Sequence, residues 1–285
     1  MLADYHIHSE YSDDSDEKME NVVESAISQG FEEICFTDHV DYGIKLDRDV
    51  FYKMNEVEKN QWTEKIGRID FNVDYPKYFE ELKKIKAKYN GKITIRQGLE
   101  FGMQTHTVEE FQKLFDTYKQ EFDFVILSCH QVNDKEFWTN EFQKGKTADE
   151  YNAEYYNEIY KIMHKYKDYS ILAHLDLIQR YNEEIYPFEK SKEIIAKILK
   201  KAIEEGKGIE VNTSSFRYGL KDLTPERNIL KLYYELGGKI ITIGSDAHKA
   251  KDVGDHIPYI QKELKKIGFS HICTFEKMKP VFHEL

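Results

Sequence analysis

Short apolar runs rich in β-branched residues alternate along the chain with longer stretches in which apolar residues recur at helical spacing. The short runs predict buried strands, and the longer stretches predict helices with one buried face. A regular strand and helix alternation is typical of βα units around a parallel sheet. The seven predicted strands span residues 2–7, 33–37, 93–99, 122–128, 170–173, 208–212 and 239–244.

Two of the predicted helices have the clearest apolar stripes. The first carries Met19, Val22 and Ala26 on one face and stops at Gly30, and the second spans 194–203. A glycine directly after a periodic stretch is a common helix stop, because it tolerates the left-handed conformation. Further helices are expected behind Pro76, Thr107, Ala148 and Pro225.

The segment 41–74 is less regular, because it mixes charges with scattered aromatic residues. We predict that it is an insertion packing over one end of a barrel. No linker, internal repeat or low-complexity stretch divides the chain, which has only 15 Gly and 5 Pro. Since α/β barrels often form one unit of about 200 to 250 residues, we expect residues 1–285 to form a single domain.

Composition and charge narrow the function classes. Apolar residues make up 40% of the chain, which is enough for a core and excludes disorder. The formal charge of −11 argues against a nucleic-acid partner, although a small anion handled by metal ions is compatible with it. Cys35, Cys129 and Cys273 are odd in number and widely spaced, and no run approaches 18 apolar residues. We therefore expect a cytoplasmic protein with no membrane partner.

Titratable side chains collect where the predicted strands end. His6 and His8 lie two residues apart at the end of the first strand, so their rings project from one face. In a closed parallel barrel all carboxyl ends of strands meet at one face, where such barrels carry their sites. The other polar strand ends carry Asp38, His39, Glu100, His130, His174, Asp176, Asp246 and His248.

A single histidine at a strand end is usually an ordinary core or capping residue. Here, six of the 11 histidines lie at strand ends, together with several carboxylates. Burying so many titratable groups without cations would leave them desolvated and unpaired, so their conjunction favours a metal centre. A mixed set of imidazoles and carboxylates suits zinc, iron(II) or manganese. Cys129 precedes His130 and should point away from this face.

The order and spacing of these residues resemble the polymerase-and-histidinol-phosphatase (PHP) superfamily along almost the whole chain. Further motifs resemble the monofunctional histidinol-phosphatase branch, namely the run 98–102, the run 176–180 and the terminal stretch 268–280. The superfamily motifs are Asp4-Tyr5-His6-Ile7-His8-Ser9, Thr37-Asp38-His39, Gly98-Leu99-Glu100, Ser128-Cys129-His130, Ala173-His174-Leu175-Asp176 and Gly244-Ser245-Asp246-Ala247-His248.

This resemblance implies a distorted (β/α)7 barrel similar to a TIM barrel, with up to three divalent ions. It places His6, His8, Glu100 and Asp246 in one site, while Glu100 bridges to a second site with His130 and His174. Asp14, His39 and His248 would bind a third ion. Asp13 and Asp16 are alternatives to Asp14, where many superfamily members have histidine.

Such ions suit phosphate monoesters for a physical reason. A metal-bound hydroxide is a nucleophile near neutral pH, and the cations neutralise charge on the phosphoryl oxygens. Arg180 and Arg217 follow the fifth and sixth strands and could clamp a phosphate bidentately. We therefore predict Glu100, Asp246, His248, Arg180 and Arg217 as catalytic residues. Ser214 and His106 are weaker candidates for substrate contact.

The expected function is hydrolysis of L-histidinol phosphate to L-histidinol and phosphate in histidine biosynthesis. The same barrel resembles bacterial phosphotyrosine phosphatases and other small-molecule phosphoesterases, so a different phosphate monoester is an alternative. A second alternative is a non-catalytic, metal-stabilised regulatory module. All nine ligand positions hold competent residues, which argues against that module. The sequence does not predict the oligomeric state.

Overall fold

The computed structural model describes residues 1–182 and 184–285. The strands are β1 (Ala3–Ile7), β2 (Glu33–Phe36), β3 (His39–Val40), β4 (Thr94–Gly102), β5 (Phe124–Ser128), β6 (Gln131–Val132), β7 (Lys135–Glu136), β8 (Ile171–Leu172), β9 (Gly208–Asn212), β10 (Ile241–Gly244), β11 (His271–Glu276) and β12 (Lys279–Glu284).

The helices surround these strands. They are α1 (Met19–Ser28), α2 (Arg48–Lys53), α3 (Glu56–Ile66), α4 (Tyr75–Lys88), α5 (Val108–Tyr118), α6 (Ala148–Lys165), α7 (Phe188–Glu204), α8 (Ser214–Arg217), α9 (Arg227–Glu235) and α10 (Ile257–Ile267), with 3₁₀ turns at Leu177–Tyr181 and Ala250–Asp252. Within the described part of the chain, none of these helices has the length and apolar character needed to cross a membrane.

Seven strands form a parallel sheet in the order β1-β2-β4-β5-β8-β9-β10, and β3 pairs with β4 beside it. The two ends of the sheet meet where Ile7 and Ala247 form a bridge. There the N–H of His8 donates to the carbonyl of Ala247 at 2.9 Å, and the N–H of Asp246 donates to the carbonyl of His6 at 2.7 Å. These contacts nearly close the barrel, which confirms the predicted fold.

The outer face of the barrel packs against the helices through their apolar stripes. Helix α1 buries Met19, Val22 and Ala26, and α7 buries Ile195 and Ile198. Each such side chain stabilises the fold by roughly 1.5–3 kcal/mol when fully buried, so the stripes fix the helices to the sheet. Both helices were predicted from those stripes.

Aromatic residues fill the amino-terminal end of the barrel. Tyr5 packs edge-on against Phe124, with ring centroids 5.0 Å apart, and Phe275 lies 4.9 Å from Phe124. The hydroxyl oxygen of Tyr5 accepts a hydrogen bond from the N–H of Phe275 at 2.7 Å. Phe275 belongs to the β11–β12 hairpin, which we did not predict. This hydrophobic plug leaves the carboxyl end as the polar end of the barrel.

An irregularity in β1 sets the direction of the two leading histidines. The register between β1 and β2 shifts between Asp4 and Ile7. Because of this shift, Tyr5 can pack against Phe124 and Phe275 inside the barrel while the next residue, His6, also points into the barrel. The rings of His6 and His8 lie at the polar end, with centroids 5.0 Å apart. Strict strand alternation would place Tyr5 and His6 on opposite faces of the sheet.

The segment 41–74 lies over the polar end, as predicted, and contains α2 and α3. Every residue of these two helices is at least partly exposed. Asn55 caps α3, because its side chain accepts hydrogen bonds from the N–H groups of Val57 and Glu58. Residues that flank the helices, including Lys45 and Arg68, line the cavity at the barrel mouth. The insertion is therefore positioned to contact a bound substrate.

Candidate active site

A cavity of about 830 Å³ opens at the carboxyl end of the barrel. His6 and His8 lie beneath its floor and are fully buried. Seven of the nine predicted ligands line the cavity, namely Asp14, His39, Glu100, His130, His174, Asp246 and His248.

Glu100 stands at the centre of this cluster. Its Oε2 lies 3.1 Å from His6 Nε2 and 3.6 Å from His8 Nε2. Its Oε1 lies 3.2 Å from His130 Nε2 and 2.9 Å from His174 Nε2. The two carboxylate oxygens therefore face different imidazoles, which is the arrangement that a carboxylate bridging two cations requires.

Asp246 completes the first predicted set of four residues. Its Oδ1 is 3.3 Å from His8 Nε2 and 3.7 Å from His6 Nε2. Zinc ligand atoms lie about 2.0–2.2 Å from the ion, so tetrahedral neighbours stand about 3.3 Å apart. The spacings around His6, His8, Glu100 and Asp246 match that separation.

Asp14 is the acidic residue of its loop that reaches the third predicted set. Its Oδ2 lies 3.0 Å from His248 Nε2 and 3.5 Å from His39 Nε2. Asp13 instead pairs with Lys45, so it is directed to another partner. The Nδ1 atom of His39 is also 2.9 Å from Glu100 Oε2, so the third set adjoins the first.

Buried atoms without partners test whether the cluster fits metal ions. His6 Nε2, His8 Nε2 and Glu100 Oε2 are buried and make no hydrogen bond within the part of the chain that the structure describes. Leaving such atoms unpaired costs about 1–3 kcal/mol each, and more for a charged group. Three overlapping groups from this cluster hold donor atoms within 4.8 Å of one another. The donor set therefore fits a multinuclear cation site.

The electrostatics of the cluster also suit cations. Burial alone would raise the pKa of Glu100, but the imidazoles of His6, His130 and His39 hold that pKa well below its usual range. Burial and the neighbouring imidazoles of His248 and His39 hold the pKa of His8 well below its usual value. Glu100 is therefore ionised and His8 neutral, as metal ligands must be. Burial alone would lower the pKa values of His6 and His39, but neighbouring carboxylates outweigh it and raise both well above the usual value, so a bound cation would displace protons from these rings.

Two carboxylates that we did not predict contact the Nδ1 atoms of His6 and His130, on the side of each ring opposite the cluster. Glu210 Oε1 lies 2.7 Å from His6 Nδ1, and Asp41 Oδ1 lies 2.8 Å from His130 Nδ1. A carboxylate on the second ring nitrogen fixes the tautomer of a ligating histidine and raises its basicity. Glu210 shares its face of β9 with Gly208 and Asn212, so strand alternation was the available signal.

We expect Glu210→Gln to weaken metal affinity by about 10- to 100-fold, because the amide keeps the shape but not the charge that supports His6. Competition with a chromophoric chelator would measure the affinity, and circular dichroism would check the fold. Glu158→Gln is a suitable control, since Glu158 is buried on α6 and accepts a hydrogen bond from the N–H of Thr105. Equal affinities in the two variants would contradict the role of Glu210.

Arg180 and Arg217 both line the cavity, where a phosphate clamp is expected. Arg217 Nη2 donates to the carbonyls of Ser245 and Asp246, both at 2.7 Å. Arg180 Nη2 donates to Ser214 Oγ at 2.8 Å, and its guanidinium lies 3.8 Å above the ring of Tyr218. Protein contacts thus fix both side chains beside the cluster.

The two weaker substrate candidates lie elsewhere. Ser214 is fully buried and contacts Arg180, so it can orient that arginine but does not line the cavity. His106 Nε2 lies 3.0 Å from Asp134 Oδ1 outside the cavity wall, because its loop turns toward the hairpin of β6 and β7. The structure therefore does not bring Ser214 or His106 to the substrate.

Cys129 takes no part in the cluster. Its side chain lies in the core between barrel and helices, and burial raises the pKa of its thiol well above the usual value. Cys35 and Cys273 are likewise buried free thiols. The clustered donor groups are therefore imidazoles and carboxylates, and Cys129 points away from them, as the strand alternation around His130 predicts.

The family model of the PHP domain matches residues 4–214. The chain belongs to the PHP domain family. This PHP protein is 32% identical over 283 residues to a histidinol-phosphatase from Lactococcus lactis, and the match covers 97% of this chain and 95% of that protein.

Solved structures extend this comparison. The PHP chain superposes with a TM-score of 0.83 and 32% identity on histidinol phosphate phosphatase from Lactococcus lactis complexed with zinc, L-histidinol and phosphate, covering 98% of each chain. A structure from Listeria monocytogenes, 20% identical with a TM-score of 0.66, shares the fold over 90% of this chain and 99% of that one. The predicted resemblance to the histidinol-phosphatase branch is confirmed.

Proposed function

We propose that this PHP barrel hydrolyses L-histidinol phosphate to L-histidinol and inorganic phosphate. The observation that carries the proposal is the similarity, along nearly the whole of both chains, to the Lactococcus lactis phosphatase complexed with zinc, L-histidinol and phosphate. The barrel mouth supports it, because acids, imidazoles and two arginines converge on one cavity. The protein is a metal-dependent phosphomonoesterase.

The nine clustered side chains would hold two or three divalent ions of zinc, iron or manganese. When bound, these ions supply hydroxide near neutral pH and neutralise charge on the phosphoryl oxygens. Glu100 is suited to contact two ions, since its two oxygens face different imidazoles. His6, His8 and Asp246 would share the first ion, His130 and His174 the second, and Asp14, His39 and His248 the third.

The arginines supply the remaining contacts to the phosphate. A guanidinium offers five N–H donors, and both hydrogen bonds of Arg217 to Ser245 and Asp246 come from Nη2. Its other donors remain for phosphoryl oxygens. Arg180 lines the same cavity, where its Nη2 is held by Ser214 Oγ. These donors would bind and orient the dianion.

A phosphate-release screen tests the substrate. The metal-loaded protein is assayed against L-histidinol phosphate, phosphotyrosine and a nucleoside monophosphate at equal concentrations. We expect the highest kcat/KM for L-histidinol phosphate. Much more efficient turnover of phosphotyrosine or the nucleotide would favour a different phosphoesterase, and no turnover of any ester would favour the non-catalytic module.

Replacing Arg217 or Arg180 with alanine should lower kcat/KM for L-histidinol phosphate by about 10²-fold or more, the usual loss when a transition-state charge contact is removed. Metal content, measured by elemental analysis, should stay unchanged. Arg227→Ala is a matched control, because Arg227 pairs with Asp222 and Glu263 outside the cavity. The proposal that Arg180 and Arg217 clamp the phosphate is wrong if all three variants have the wild-type kcat/KM for L-histidinol phosphate.

We also place this activity in histidine biosynthesis, which the name of the similar Lactococcus lactis histidinol-phosphatase implies. The three buried free thiols support a reducing, cytoplasmic location. The small phosphate monoester is the partner that the site requires.

A further inference from the structure

The rim of the cavity presents an indole ring with much of its surface free. Trp138 lines the same cavity as Glu100 and Asp246, and 60% of its surface is exposed. An exposed tryptophan on the wall of a binding cavity is unusual, because tryptophan is highly buried on average. Its position therefore calls for a function that the phosphate site does not explain.

The hairpin of β6 and β7 holds Trp138 close to the metal cluster. The N–H of Phe137 donates to the carbonyl of His130 at 3.4 Å, so the chain returns to a predicted ligand one residue before the indole. Phe137 is itself buried and packs against Phe142 and Tyr155, with centroids 5.0 and 5.4 Å away. The backbone beneath Trp138 is thus anchored in the core.

Three charged residues fix the indole ring: Arg68 and Asp70 from the insertion and Glu136 from β7, which we call the acidic clasp. The guanidinium of Arg68 lies 5.6 Å from the centroid of the Trp138 ring. Glu136 holds that guanidinium with two parallel hydrogen bonds, 2.8 Å from Nη1 and 2.7 Å from Nη2, and Asp70 pairs with its Nε. Two carboxylates against one guanidinium leave a net negative charge beside the ring.

The other aromatic residues of the rim are already engaged. Tyr218 lies under the guanidinium of Arg180, at 3.8 Å, and so belongs to the phosphate end of the cavity. Tyr181 is only partly exposed and packs near Phe137, with ring centroids 6.4 Å apart. Trp138 is therefore the rim aromatic with a large free surface on the side of the acidic clasp.

We propose that Trp138, fixed by Arg68 and Glu136, is a specificity-determining residue that stacks on the imidazole ring of the substrate. This inference rests on the proposed function, because it concerns the part of L-histidinol phosphate that is not phosphate. A planar heterocycle stacks favourably on an indole, and a protonated imidazole gains a further attraction from the ring quadrupole. The net negative charge of the clasp favours the same cationic end.

Steady-state kinetics with metal-loaded protein test this role. We expect Trp138→Leu to raise KM for L-histidinol phosphate about tenfold with a smaller change in kcat, while Trp138→Phe retains most of the wild-type KM. O-phospho-L-serine has the amine and phosphate but no ring, so its kcat/KM should change little. Trp62→Leu is the matched control, since Trp62, the other tryptophan of the chain, lies on α3 outside the cavity.

Fluorescence gives a readout that does not depend on turnover. In Trp62→Phe protein, Trp138 is the sole tryptophan, and L-histidinol should change its emission saturably whereas inorganic phosphate alone should change it little. An unchanged emission, or a Trp138→Leu variant that discriminates between the two esters like the wild type, overturns the stacking role. If the wild-type protein still hydrolyses L-histidinol phosphate in that case, only the stacking role is wrong and the proposed function stands. A wild type that neither binds L-histidinol nor hydrolyses its phosphate ester overturns both.

Discussion

Glu100→Gln is expected to remove at least one metal ion per chain and to lower kcat for phosphomonoester hydrolysis by about 10³-fold or more. Glutamine keeps the shape of the side chain but replaces one ligating oxygen with an amide nitrogen that cannot bind a cation. Because the two oxygens of Glu100 face different imidazoles, the loss should affect two ion sites at once. Elemental analysis and single-turnover kinetics measure the two effects.

The same measurements on Glu158→Gln show what the loss of an unrelated buried carboxylate does. Glu158 is nearly as inaccessible as Glu100 but lies outside the cavity. We expect that variant to keep its metal and its turnover. Normal metal content and turnover in Glu100→Gln would show that the bridging assignment is wrong.

The convergence of the ligands could be predicted because it follows from topology. Parallel strands in a barrel bring their carboxyl ends together, so residues far apart in sequence, such as His6, Glu100 and Asp246, could be assigned to one cluster. The helices followed from apolar stripes of the kind that α1 and α7 bury. Each strand and helix is predicted from a pattern within about 11 to 18 residues, and the topology then brings the strand ends together.

The partners of the orienting carboxylates are harder to predict, although strand alternation in β9 indicates the face on which Glu210 lies. Asp41 reaches His130 across 89 positions, and Glu210 reaches His6 across 204. The sequence predicts that Asp41 begins the irregular segment 41–74, and acidic side chains in loops are usually solvated. Only the packing of the insertion and the shift of register in β1 bring these groups together. The same limit applies to Trp138, whose exposure no local pattern indicates.

The choice of Asp14 over Asp13 and Asp16 also depended on tertiary structure. The three acids lie within four residues, and the sequence gives each the same chemistry. Lys45, from the insertion, pairs with Asp13, while Asp14 remains free to approach His39 and His248. A long-range ion pair thus directs Asp13 away from the cluster that Asp14 joins.

Removal of the metal ions should abolish activity and destabilise the fold. A ligand present at 100 times its Kd stabilises a protein by about 2.7 kcal/mol, so two such ions should raise Tm by roughly 10 °C for a chain of this size. The structural reason is that His6 Nε2, His8 Nε2 and Glu100 Oε2 are buried and make no hydrogen bond in the described part of the chain. Without cations these atoms keep their desolvation penalty.

Dialysis against a strong chelator, followed by elemental analysis, calorimetry and phosphate-release assays, measures these effects on one sample. We expect at least two transition-metal ions per chain before dialysis. Zinc, iron(II) or manganese, added back singly, should restore Tm and turnover, whereas calcium should not, because the imidazole-rich donor set does not suit a cation that takes oxygen ligands. Full phosphatase activity in metal-free protein would contradict the mechanism. Loss of activity with an unchanged Tm would instead mean that the buried cluster does not depend on cations for its stability.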